Sequence, residues 1–388
     1  MYHFIYPSKD TYIYELNTNS EKNFGADDTL VLKKEFDGKT GLKGVSRVLL
    51  QFDLSDLSSS LKLNEHYISS SNTTYKLRLF EHKTSELSTE YKLAAYPLSS
   101  SWEEGSGYAG EDPNSKDGAS WEKTNENFTY TSWSLLSGED MDTSGSRPKA
   151  GGGVWMSGSN DRSTWWGGLT QTFSYESPDV NMDISQLVKD WLGSTPTYVT
   201  KIKNNGLILK WSGSQEDSTD ISGDINFHSR HGNPIYSPRI DIMWDDHIAC
   251  SGSNTGSLTQ LTIDGKKDNY LYMINLRDTY RETEIPKFRV GGRERYQTKS
   301  TSTTKSLSST MFVPEGSGSY SIIDVETGQT LIPFGSNSLL SCDSKSNYFK
   351  QKLNGFITNR LYRIKLRLQT DDNKKIIYDN GFDFKVIK

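Results

Sequence analysis

Cysteine is nearly missing. The chain has only Cys250 and Cys342 in 388 residues, far apart and in no C-x-x-C pattern. Such spacing points to neither a zinc site nor a disulfide framework, so two free thiols are expected. Long apolar runs are missing too. No segment approaches the roughly 18 to 20 apolar residues of a membrane span, and the opening MYHFIYPSKD has neither the basic stretch nor the apolar core of a signal peptide. A membrane partner and an export signal are therefore not expected. Nor does charge of one sign dominate: 44 basic and 49 acidic residues leave a formal net charge of -5, too weak a field to gather nucleic acid. Catalytic signatures are also lacking. GGRER has no Lys-Ser/Thr of a phosphate loop, and no serine or cysteine sits in a G-x-S-x-G elbow.

What the chain does have is polar turns and short apolar alternations. Hydrophobic residues make up 33% and aromatics 12%, with many Ser, Thr, Asn and Gly, a composition that suits strands joined by turns. The fold class predicted is all-β. Its length exceeds what one small core organises, so two domains are expected. All nine tryptophans fall between Trp102 and Trp244, and the polar stretch ACSGSNTGSLTQ follows. The predicted division is a first domain over 1–246 with a long insertion at about 103–163, a linker over 247–260, and a second domain over 261–388.

Within the first domain, DTYIYEL and YKLRLFEH alternate with period two, as strands with one buried face do. DISQLVKDWLG breaks the pattern: Ile184, Leu187, Val188, Trp191 and Leu192 recur at helical spacing, with Asp183 as cap and Gly193 as stop, which predicts one short helix. The second domain carries some seven strand-like runs, among them PKFRVGG, YSIIDVETGQTLIPF, RLYRIKLRLQT and GFDFKVIK, with turns at Glu326-Thr327-Gly328 and Asp371-Asp372-Asn373. Turn-punctuated strands of that number predict an immunoglobulin-like β-sandwich.

The 103–163 insertion is rich in Gly, Ser, Asp and Asn, and a segment of that size has to be functional or ordered by a neighbour. Its tryptophans, Trp102, Trp121, Trp133, Trp155, Trp165 and Trp166, are the interaction candidates. Flat indoles stack on sugars or anchor interfaces, and the alternative role is to order the insertion itself. Trp191, Trp211 and Trp244 are expected in the core. Asp140, Asp142 and Ser144 match the start of a calcium loop, but its twelfth position is Gly151 where a bidentate Glu belongs. Calcium is the one cofactor with any sequence support. Glu103 and Glu104 read as a solvated acidic pair. His228 and His231 lack a third ligand, and a strand puts positions three apart on opposite faces.

The ordered blocks DTYIYE, NFG, SRVLLQFDLSDL, YKLRLFEH, SSSWEEGSG, MDISQLVKDWL, NNGLILKW, FHSRHG and YSPRIDIMWDD resemble the DNRLRE-type jelly-roll module, a carbohydrate-binding-like β-sandwich, over about residues 8–246. That resemblance implies a structural role for FDLSDL: Phe52 and Leu54 face the core, while Asp53 and Asp56 bond backbone where the strand turns away. Two acids in one local turn also do not span a sugar cleft as a glycosidase pair must. Jelly-roll and C-terminal blocks together resemble virion structural proteins of tailed bacteriophages. This implies a non-enzymatic structural component of a virion, assembled in the host cytoplasm on other virion proteins and copies of itself, as capsid decoration, neck or tail. The alternative is a glycan-binding adhesin using the loop tryptophans against a host-surface glycan. A polysaccharide-degrading enzyme is a third reading, without a catalytic constellation to support it.

Overall fold

The computed structural model describes residues 1–15, 19–37, 41–55, 57, 73–112, 114–125, 131–133, 140–142, 151–156, 169–174, 177–192, 202–218, 222–266, 268–296 and 310–388. The described residues are mainly β, and Ser185–Leu192 form a short α-helix. The chain divides into two compact units, one within 5–66 and 74–241, the other within 1–4, 67–73 and 242–388.

The strands begin β1 (Tyr2–Ile5), β2 (Pro7–Tyr14), β3 (Thr29–Asp37), β4 (Gly41–Phe52), β5 (Thr73–Leu79), β6 (Glu81–Ser85) and β7 (Glu90–Pro97). Among the described residues of the insertion follow β8 (Lys123–Asn125), β9 (Thr131–Ser132), β10 (Asp140–Asp142) and β11 (Gly151–Trp155). Then come β12 (Thr170–Ser174), β13 (Val180–Asp183), helix α1 (Ser185–Leu192), β14 (Leu207–Trp211), β15 (Gly223–His228) and β16 (Arg239–Trp244). The run VSRVLLQF makes β4 long enough to serve two ladders. Its start pairs with β3 at Lys34 and Val45, while its second half lies between β2 and β14, where Leu49 faces Thr11 on one side and Ile208 on the other. The resulting sheet has the order β12-β7-β14-β4-β3-β15-β6, with β2 added along β4.

β5 alternates as expected, with Tyr75, Leu77 and Leu79 buried and Lys76 and Arg78 half-buried. β2 does not. Every residue from Asp10 to Tyr14 is buried, and so is the whole of β14. A two-faced apolar demand arises because the insertion folds back over the sheet: Ile13, Leu49 and Ile208 pack with Trp102, Trp121, Trp133, Val154 and Trp155 in one cluster. Each such fully buried large side chain contributes on the order of 2–3 kcal/mol. α1 buries Leu187, Val188 and Trp191, and Asp183 accepts a 2.8 Å bond from the Ser185 N–H, satisfying one of the helix's free donors.

The other unit adds β17 (Thr259–Gln260), β18 (Asn269–Met273), β19 (Thr279–Arg281), β20 (Lys287–Glu294), β21 (Met311–Phe312), β22 (Gly318–Asp324), β23 (Thr330–Ile332), β24 (Ser341–Asp343), β25 (Ser346–Lys350), β26 (Leu361–Gln369) and β27 (Lys375–Ile387). One sheet runs β17-β21-β20-β25-β24 with β18 on β20, the other β19-β27-β26-β22-β23. Aromatic rings join them. Phe349 of β25 stacks on Tyr320 of β22 at 3.7 Å, and Phe288 of β20 lies 5.4 Å from Phe384 of β27. Two sheets sharing such a core make a β-sandwich.

Candidate functional site

The insertion is held down by a buried cation. Arg47, on β4, donates from Nε and Nη2 to the two carboxylate oxygens of Glu216 at 2.9 Å each, and from Nη1 to the Gly152 carbonyl at 2.7 Å. Its guanidinium carbon lies 4.7 Å from the centroid of the Trp121 ring and 5.0 Å from that of Trp155. Nothing larger than glycine fits at 152: φ is +79°, and an added Cβ would meet Arg47 Nη1 at 2.4 Å and the Trp121 ring at 2.7 Å. Trp102, Trp121, Trp133 and Trp155 are thus interior residues, none more than 6% exposed. They pack in one cluster with Ile13, Leu49 and Ile208, and Trp102 also lines the cavity beside it. Trp165 and Trp166 lie outside the described residues.

Beside this core the structure opens a cavity of about 440 Å³, bounded by Ser99–Glu103, Thr124, Asn125, Ser132, Met156, Lys203 and Asn205. Its walls are tied together. The Trp102 indole N–H donates to the Asn205 carbonyl at 3.0 Å, Asn205 Nδ2 donates to the Ser99 carbonyl at 2.7 Å, and Glu103 N–H donates to the Thr124 carbonyl at 3.1 Å. Lys9 neutralises Glu103 at 2.8 Å. Left over are the hydroxyls of Ser100, Ser101 and Ser132 and the ammonium of exposed Lys203, none of which has a partner among the described residues. Polar groups that the protein's own bonds leave open to solvent around a concavity are available to a polar ligand.

A charged cluster lies on the other side of the same loop, whose next residue is Glu104. Glu104 Oε1 accepts from the Asp10 N–H at 2.9 Å and from Arg230 Nε at 2.8 Å, its Oε2 accepts from Arg230 Nη2 at 2.7 Å, and His231 Nε2 lies 3.2 Å from Oε1. Asp10 Oδ2 accepts from the Arg230 N–H at 2.7 Å. Burial pushes the Asp10 carboxyl up to about 7, and the neighbouring Glu104 carboxylate adds to the shift. Asp10, Glu104 and His231 bring donor atoms within 4.8 Å of one another, a set that could hold a metal ion. However, the Arg230 guanidinium already claims both Glu104 oxygens, so a divalent cation would have to displace it. As it stands, the arrangement locks the 103–118 loop onto β2. Asn23 completes the lock: its Nδ2 donates to the carbonyls of Glu104 and Ala119, and its Oδ1 accepts from the N–H groups of Gly25 and Gly107.

The remaining sequence candidates fall elsewhere. Asp53 Oδ1 accepts from the Ser55 N–H at 2.9 Å, a bond that holds its carboxyl below the usual range, while Phe52 and Leu54 are buried. Asp56 and Ser144 lie outside the described residues. Asp140 and Asp142 are in β10, paired with β11. His228 rests between the His82 and Tyr236 rings, and burial there lowers its pKa. The structure therefore separates His228 from His231 and brings His231 to Glu104, a pairing across 127 positions that spacing does not show. Asp10, Asn23, Arg47 and Lys203 were not among the sequence candidates. Asp10 in DTYIYE, Asn23 in NFG and Arg47 in SRVLLQFDLSDL stood in quoted blocks without being singled out, and Lys203 stood in none.

With the geometry in hand, comparison with known proteins adds one assignment. Residues 1–133 match carbohydrate-binding module family 96. The chain thus carries an N-terminal carbohydrate-binding-like module, a typically non-catalytic type of unit, which supports a non-enzymatic assignment. The matched span includes Asp10, Asn23, Arg47 and the cavity wall from Ser99 to Asn125. No curated protein sequence matches the chain. Among solved structures, trypsin-activated alpha-2-macroglobulin from Escherichia coli is similar at 16% identity over 50% of this chain, with a TM-score of 0.18; this chain spans 11% of its length. The adhesin domain of Epf from Streptococcus pyogenes is similar at 7% identity over 98% of both chains, with a TM-score of 0.15. Neither likeness is close enough to carry an argument. No helix among the described residues is long and apolar enough to cross a membrane.

Proposed function

We propose that the chain is a non-enzymatic glycan-binding protein of the adhesin type, in which the cavity between Ser99 and Asn205 takes a sugar. The match of residues 1–133 to a carbohydrate-binding family carries this reading. The cavity supports it with the chemistry a sugar needs: the free hydroxyls of Ser100, Ser101 and Ser132 for its hydroxyl groups, and half-buried Met156 for its apolar face. Recognition rests on hydrogen bonds rather than on the loop tryptophans, because the four described ones are spent in the interior. Lys203, whose charge has no partner among the described residues while that of Glu103 is cancelled by Lys9, adds attraction for an anionic group on the sugar.

In this reading the first unit is a DNRLRE-type jelly-roll and the second an immunoglobulin-like sandwich acting as its support. A virion role rests on the sequence resemblance alone, and the family match favours glycan binding over it. The test is an array of neutral and uronic-acid glycans probed with the intact chain and with Lys203→Ala. Binding of at least one class, weakened about tenfold or more by the substitution, is the outcome expected for a charge-assisted contact. An intact chain that binds no glycan would remove the proposal.

A further inference from the structure

The two cysteines that the sequence leaves unrelated meet in the fold. Cys250 and Cys342 are buried in one small cluster with Phe312, within a single unit. Backbone on both sides fixes the approach: the Cys342 N–H donates to the Ile248 carbonyl at 3.2 Å, and Asn347, paired with Cys342 across β24 and β25, donates from Nδ2 to Cys250 Sγ at 3.3 Å. The Cys250 thiol donates to the Leu340 carbonyl at 3.4 Å and the Cys342 thiol to the Asp343 carbonyl at 3.6 Å, and the closeness of the two thiols raises the pKa of Cys250 and lowers that of Cys342. Both thiols are free in this structure. Two buried cysteines in one cluster, both held against Asn347, can be brought to disulfide geometry by a local adjustment.

We propose that Cys250 and Cys342 form a disulfide cross-link when the chain folds, or opens locally, in the presence of a small-molecule disulfide such as oxidised glutathione. The Cys342 thiolate attacks one glutathione sulfur, releasing one glutathione thiolate and leaving a mixed disulfide. Cys250, deprotonated, then attacks the Cys342 sulfur and expels the second glutathione. One S–S bond is broken and one is formed. Two electrons pass from the protein to glutathione, and the two thiol protons end on the two reduced glutathiones. The cross-link ties the start of this unit to β24 and is independent of the glycan-binding reading.

The experiment oxidises the full chain with excess oxidised glutathione during refolding and, separately, in the native state. Thiols are counted in denaturant and a non-reducing peptide map is read by mass spectrometry. The proposal expects the thiol count to fall from two to none, the mass to drop by two hydrogens, a single peptide pair linking 250 to 342, and an unfolding midpoint that falls when dithiothreitol is added. Cys250→Ser should keep Cys342 as a thiol or a glutathione adduct. Two thiols that survive both treatments, or two separate glutathione adducts in the wild-type chain, would overturn it, whether or not the serine variant folds.

Discussion

Replacing Arg47 by methionine is the sharpest perturbation of the scaffold beneath the cavity. The side chain is fully buried, and its partner Glu216 has 3% of its side chain exposed. Removing the guanidinium leaves a desolvated carboxylate with Lys210 as its other cation, strips the Gly152 carbonyl of its donor, and replaces two cation–π contacts by weaker thioether ones. Breaking a buried ion pair from one side costs about 3–5 kcal/mol. Lys210 places the loss toward the lower end, and the orphaned carbonyl adds about 1 kcal/mol, so we expect about 4 kcal/mol. At a urea slope of roughly 2–3 kcal/mol/M for a unit of this size, that is a fall in midpoint of about 1–2 M. Indole fluorescence is the suitable probe, since eight of the nine tryptophans lie between Trp102 and Trp211, inside the affected unit. Adding Glu216→Gln to Arg47→Met should recover part of the loss, because the uncompensated charge is then gone. A single-variant loss below about 1 kcal/mol would refute the reasoning, because it lies under the range for breaking a buried pair.

The same structure makes further predictions. Asp10 has its folded pKa raised to about 7, so between its unfolded value of 3.8 and 7 the folded chain holds the extra proton. The contribution of Asp10 to stability, at most about 4 kcal/mol, should therefore be fully present below about pH 4, decline as pH rises to 7, and be absent above. Thermal unfolding of Asp10→Asn against pH should lack that slope, and a variant that keeps it would show that another group is responsible. Asn23→Ala removes three hydrogen bonds that pin the 104–119 loop and a fourth, local one from the Gly25 N–H, at a cost of about 2–4 kcal/mol. Limited proteolysis should then cut within 104–118, and an unchanged digestion pattern would count against the lock. Gly152→Ala should destabilise by about 2 kcal/mol or more through its left-handed backbone and the Arg47 contact, as read by the same fluorescence midpoint.

Local signals carried much of the architecture. Alternation in YKLRLFEH, helical spacing in SQLVKDWL with Asp183 ahead of it, and the turn at Glu326-Thr327-Gly328 each depend on neighbours within a few positions, and each forms as read. Where the reading fell short, the deciding contact was distant. Asp10 to Tyr14 looked one-faced because the insertion that covers the second face lies about a hundred residues on. Trp121 and Trp155 sit in Gly- and Ser-rich surroundings that suggest a surface, yet Arg47 draws them inward. Glu104 passed for a solvated acid because neither Asp10 nor Arg230 is near it in sequence. Cys250 and Cys342 converge for the same kind of reason.

The account stands on a sugar entering the cavity at Ser99 to Asn205. The most direct measurement is calorimetric titration of an array-selected glycan into the intact chain and into Ser101→Trp, which places an indole at the exposed rim without touching the Arg47 or Glu104 networks. Saturable binding by the intact chain, lost in the variant while its unfolding midpoint is unchanged, is the predicted result. Equal affinity in both would contradict the assignment of the site, and release of new sugar chain ends during the titration would contradict the non-enzymatic reading.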